Sequence, residues 1–161
     1  MELVNLCRIG NLDEIKEFFN KNPNFDVHSN DESAFRLACK YGHLRVAKWL
    51  IETFNDIDYH ACDELAFEWA CLNGHLRVVK WLIETFRDIN YHADDELAFR
   101  WACGNGHLEV AFFLKKRFPD IDHHAKNDYC YKYTKHPEIL NWLNHECKFP
   151  NTTKSARKKI Y

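Results

Sequence analysis

Ten histidines and seven cysteines are the side chains of this 161-residue chain best suited to bind a metal, move a proton or attack a substrate. His28, His60, His92 and His124 stand one fixed interval apart, and His43, His75 and His107 form a second series with the same spacing. Zinc requires its donors within about 2.0–2.3 Å of one ion. Successive packed helices lie about 8–10 Å apart, so a histidine ladder of that pitch does not close around a metal. Within one stretch, His60 with Cys62, or His123 with His124, supplies two ligands at most, and no metal or cofactor is expected. Histidine titrates near pH 6.5, which leaves a proton-sensing ladder chemically open. A loop histidine that satisfies nearby backbone, copied with its surroundings, accounts for the same periodicity.

Other reactive signatures are missing. No His-Glu-x-x-His and no Gly-x-Ser-x-Gly occurs. Gly104-Asn105-Gly106 falls between two helical patterns rather than after a strand, which is the wrong context for a phosphate loop. The seven cysteines are odd in number and lack Cys-x-x-Cys, and Cys39, Cys71 and Cys103 recur at the histidine interval. They read as small buried apolar residues in a reducing compartment. No enzyme is expected.

The elements that carry these residues repeat. Gly42-His43-Leu44-Arg45-Val46-Ala47-Lys48-Trp49-Leu50 returns as Gly74-His75-Leu76-Arg77-Val78-Val79-Lys80-Trp81-Leu82 and, less closely, from Gly106 to Leu114. With Gly10 as a worn first copy, the glycines at 10, 42, 74 and 106 set a period of 32 residues. Such a period marks a stacked-repeat protein. The units run over 1–27, 28–59, 60–91, 92–123 and a shortened 124–147, together one domain, followed by a basic tail at 148–161. Phe35, Ala38 and Cys39, with their counterparts at 67, 70, 71 and 99, 102, 103, have the spacing of a helix with one buried face. Leu44, Ala47, Leu50, Ile51 and Phe54 continue as a second helix. Two helices joined by a glycine turn cannot bury both faces alone, so each pair stacks on its neighbours. The pairs Asp31-Glu32, Asp63-Glu64 and Asp95-Glu96 precede the first helices and are expected to cap their free amides. Trp49, Trp81 and Trp142 on second helices, and Trp69 and Trp101 on first helices, are expected in the core between units.

Composition narrows the class further. At 46% hydrophobic and 15% aromatic, the chain has ample core material. A formal net charge of −2 argues for neither nucleic acid nor membrane as partner, and the tail from Lys154 to Lys159 is the one stretch compatible with nucleic acid. No apolar run approaches the ~18 residues of a membrane span, and the start lacks a secretory pattern. A cytoplasmic monomer is expected.

Ala38-Cys39-Lys40-Tyr41-Gly42-His43-Leu44 through Leu50 resembles the ankyrin repeat, whose units carry Ala-Ala-x-x-Gly-His followed by Val-Val-x-x-Leu-Leu. Asp56-Ile57-Asp58 and Asp88-Ile89-Asn90 are similar to its Ala-Asp-Val-Asn link. Thr-Pro-Leu-His is replaced by Ser33-Ala34-Phe35-Arg36 and its copies, and Phe54 or Phe86 stands where a glycine follows the second helix. The wording is similar to ankyrin proteins of giant DNA viruses of amoebae. The resemblance implies an all-α solenoid that binds a protein, such as a host protein, through a concave groove. Lys40, Tyr41, Leu72, Asn73, Gly104 and Asn105 would face that groove, with Asn30, Cys62, Asp94 and Lys126 at its rim. The alternative it offers is a substrate-selecting adaptor of a ubiquitin ligase. Residues at the aligned position Arg36, Glu68, Arg100 and Lys132 drift between copies, as is permitted where solvent or a partner sits.

Overall fold

The computed structural model describes residues 2–146, and Cys147 with the basic tail lies outside them. Ten helices, with no strand among the described residues, form five successive pairs. They are α1 (Glu2–Ile9) with α2 (Leu12–Lys21), α3 (Ser29–Lys40) with α4 (Leu44–Thr53), α5 (Ala61–Leu72) with α6 (Leu76–Thr85), α7 (Ala93–Gly104) with α8 (Leu108–Arg117), and α9 (Ala125–Tyr133) with α10 (Pro137–Glu146). The first helices pack in series, α1 on α3, α3 on α5, α5 on α7 and α7 on α9.

Packing follows the apolar spacing. Phe35, Ala38 and Cys39 are fully buried, as are Ala70, Cys71, Phe99, Ala102 and Cys103 in the later copies. Full burial of such a phenylalanine contributes about 1.5–3 kcal/mol. The alanines let first helices approach closely, while the partly buried Trp49, Trp81, Phe113 and Trp142 pack against the core from the second helices. Of the six described cysteines, all but Cys62 are buried.

Each glycine turn is locked by the histidine of the next one. Gly42 has φ +76°, and a Cβ there would meet the His75 ring at 2.6 Å. His75 reaches back to donate from Nε2 to the Lys40 carbonyl at 2.9 Å, and His43 does the same to Arg8 at 2.8 Å. These histidines bond backbone, as expected, but the backbone belongs to the preceding unit.

Candidate partner-binding face

The loop tips depart from the expected helix start. Asn30, Asp31 and Glu32 all have left-handed backbone (φ 57°, 53° and 61°), and the same three-residue turn recurs at 62–64, 94–96 and 126–128. Left-handed helix costs L-residues about 1–2 kcal/mol each, so every such turn needs compensation. Asn and Asp tolerate it best, which explains their concentration here. The acidic pairs therefore do not cap the right-handed helices: none of the histidine caps before them adds a side-chain bond, and the reversed turn aims the carboxylates elsewhere.

The second acid of each pair turns inward. Glu32, Glu64 and Glu96 are 4–5% exposed. Glu64 Oε1 lies 2.5 Å from His60 Nδ1 and accepts the backbone N–H of Asn90, in the next unit, at 3.0 Å. Glu32 joins His28 to the Asp58 amide, and Glu96 joins His92 to the Asp122 amide, at 3.2 Å in each case. The other ring nitrogen also meets a carboxylate: His28 Nε2 lies 3.4 Å from Asp56, and His60 and His92 lie 3.3 Å from Asp88 and Asp120. A ring facing acids at both nitrogens can donate to both only in its protonated form, and the two acids favour that form. For His28 the bond to Glu32 leads in raising the pKa above the usual histidine value. Partial burial works against His60 and His92, but their paired acids outweigh it and raise them too.

Aromatic stacking closes the same seam. Tyr59 lies 3.8 Å above Phe86 and donates its hydroxyl to Asp88 at 3.0 Å; Tyr91 lies 3.7 Å above Phe118 and donates to Asp120 at 3.2 Å. The phenylalanine that holds the place of a glycine is thus packed by an aromatic ring of the preceding unit, a tyrosine at Phe86 and Phe118 and Phe19 at Phe54.

Arginine braces two of the reversed turns. Arg36 donates from Nε to the Asp31 carbonyl (2.6 Å) and from Nη2 to the Asn30 carbonyl (2.7 Å). Arg100 repeats this on Asp95 (2.8 Å) and Asp94 (2.7 Å). Arg36 also lies over Trp69, whose ring has Lys40 Nζ 4.4 Å from its centroid, and Arg100 lies over Tyr129. Trp69 and Trp101 are half-buried and stand outside the core cluster, unlike Trp49, Trp81 and Trp142. The expectation that all five tryptophans sit in the core holds for the second helices and fails for the first, whose tryptophans rotate away from the alanine face.

The residues singled out from sequence fall on this side in two rows. Asn30, Cys62, Asp94 and Lys126 are each the first residue of a left-handed turn and are exposed; Lys126 pairs with Asp95 at 2.6 Å. Lys40, Leu72 and Gly104 end the first helices half-buried, and Tyr41, Asn73 and Asn105 follow exposed. Asn73 and Asn105 spend their side-chain amides on the Trp69 and Trp101 carbonyls, at 2.8 and 2.9 Å. Trp69, Trp101 and the arginines escaped the sequence reading as surface features, although drift at position 36 and its copies was their signal. Among the described residues no group of three or more His, Cys, Asp or Glu could hold a metal ion, and no helix is long and apolar enough to cross a membrane.

Stacked helix pairs, glycine turns pinned by histidine and a row of exposed loop tips define a solenoid repeat protein. Residues 3–95 match the family described as ankyrin repeats, in three copies, so the chain belongs to the ankyrin-repeat family. It is also similar in fold to a chain in the crystal structure of the yeast ribosomal protein Rps3 in complex with its chaperone Yar1. That match has a TM-score of 0.58 and 23% identity over 73% of this chain and 91% of the other. No curated protein matches.

Proposed function

We propose that the protein is a non-enzymatic scaffold that binds a protein partner on the face built from the first helices and loop tips. The observation that carries this reading is the position of Trp69, half-exposed beside Arg36 and Lys40, and of its half-exposed counterpart Trp101, instead of in the core. Tryptophan, tyrosine and arginine dominate the energetics of protein interfaces. The backbone under them is fixed by interlocking units, so little ordering entropy is lost on binding. Family membership supports the same reading, since ankyrin repeats are generally binding modules. The scaffold acts as a cytoplasmic monomer in this proposal.

Affinity capture with wild type and with Trp69→Ala/Trp101→Ala tests it. Loss of ~2 kcal/mol or more, roughly 30-fold weaker binding, is expected for hot-spot residues. A folded double variant that keeps every partner at wild-type affinity sinks the proposal. Tyr41→Ala belongs in the same set. Asn73 and Asn105 are poorer probes, because their amides also hold helix ends.

A further inference from the structure

The braced position loses its arginine twice, to the exposed Lys132 in the last unit and to a buried acid in the central one. Where units two and four carry Arg36 and Arg100, the central unit carries Glu68, and among the described residues no side chain bonds the Cys62 and Asp63 carbonyls that match the arginine acceptors. Glu68 is only 3% exposed and its Oε1 has no hydrogen-bond partner; Glu32, Glu64 and Glu96 also leave one oxygen bare but bond a histidine through the other, a bond Glu68 lacks. A buried carboxylate without a partner is costly and rare enough to require a reason. The reason is not its surroundings within the fold: Asp94, Glu64 and Asp63 add negative charge, with Arg100 opposing. Burial first, and those acids next, push the Glu68 pKa up to about 7. Charge repulsion of this kind is what an incoming cation relieves.

We propose that Glu68, with the Cys62 and Asp63 carbonyls beside it, receives an arginine side chain of the bound partner protein. The assignment rests on the binding face proposed above and names the chemistry its centre selects. The fold itself shows the shape of the guest. In the flanking units a single guanidinium spans both turn carbonyls with Nε and Nη2 and lies over the aromatic ring of the next first helix, Trp69 or Tyr129. Trp101, 32 residues after Trp69, is the counterpart of that ring for the central unit by the repeat register. A planar fork satisfies two carbonyls and a carboxylate edge together, whereas an ammonium is a point charge that cannot. Acid at position 68 therefore gives up a brace to leave a receptor, at the middle of the row where interface anchors concentrate.

The test uses the whole chain and three small probes: N-acetyl-arginine methylamide, its lysine counterpart and its citrulline counterpart. One side chain of this size is expected to bind at about 1–10 mM. The arginine probe should shift the Glu68 side-chain carboxyl resonance saturably and lower its titration midpoint by about half a pH unit or more. The lysine probe should act more weakly and the uncharged citrulline probe not at all. The same probe should saturably shift the Trp101 indole N–H resonance in the wild type, and in Glu68→Gln, which keeps that reporter but lacks the carboxylate, this arginine response should disappear. Glu68→Arg, which supplies the guanidinium from within, should raise Tm by about 2–8 °C and abolish the arginine response. No saturable shift, an equal response to citrulline, or an arginine response surviving in Glu68→Gln overturns the proposal. If the tryptophan variants lose their partner while the arginine probe fails, the receptor falls and the binding face stands; if both fail, both fall.

Discussion

His60 Nδ1 and Glu64 Oε1 lie 2.5 Å apart, and the same carboxylate oxygen takes the Asn90 amide of the following unit at 3.0 Å. One oxygen thus serves the strained turn and the joint to its neighbour. Glu64→Ala strips both bonds and leaves the His60 ring and the Asn90 amide without that acceptor. A loss of about 2–3 kcal/mol is expected, a fall in Tm of about 4–12 °C. Thermal unfolding followed by circular dichroism checks it, and a variant within 1–2 °C (about 0.5 kcal/mol) of wild type would show that the joint carries little.

The histidines divide by the direction of their shift, which sets the pH profile. His28, His60 and His92 titrate above the usual value of about 6.5, so their contribution is complete below that pH and fades as pH rises through the elevated value. Burial lowers His75, and it lowers His123 to about 4. Their contribution is complete above about pH 6.5 and is lost as pH falls, for His123 toward about 4. Glu68, raised from 4.5 to about 7, costs stability progressively as pH rises between those values, so Tm should peak between about pH 4.5 and 6.5. His60→Gln should cost most on the acid side of the peak and progressively less above it. A flat Tm from pH 5 to 9, over roughly four decades of proton activity, would contradict this account.

Two glycines should answer oppositely to alanine. Gly42→Ala puts a Cβ 2.6 Å from the His75 ring at a φ of +76°. Backbone strain alone is about 1–2 kcal/mol, and the displaced histidine adds to it. Gly104 lies in a helix with ordinary φ, and its Cβ would meet Tyr129 at 3.5 Å, a normal contact. Gly104→Ala should stabilise by about 0.5–1 kcal/mol. Denaturant midpoints of the two variants measure both signs at once.

Arg100→Met should destabilise more than Arg36→Met. Each loses two bonds to carbonyls of a left-handed turn, but Arg100 is 7% exposed and Arg36 half-buried. A cost of about 2–3 kcal/mol for Arg100 and about 1 kcal/mol for Arg36 is expected. Urea unfolding with unchanged m-values would establish that order.

Sequence carried the stack but not the seam. Glycines at 10, 42, 74 and 106 and the triad of Phe35, Ala38 and Cys39 imply paired helices in register, because periodicity records which face is buried. The reversed turns were hidden, since Asp63-Glu64 before an apolar run is also what a helix cap looks like. Glu64 finds its partner in the backbone of Asn90, and a main-chain donor leaves no letter to align. Trp69 and Trp81 both sit at helical spacing; only their rotation about the helix axis sends one toward solvent and the other toward the core. Position 68 was visible as drift, but its burial was not.

The acid clasps reach forward and the turn histidines reach back, so an inner pair is gripped from both directions and a terminal pair from one. Amide exchange should accordingly form a gradient, fastest in α1, α2 and α10 and slowest in α5 and α6. Fraying begins at the tips, and the segment bearing Glu68 is the last to melt.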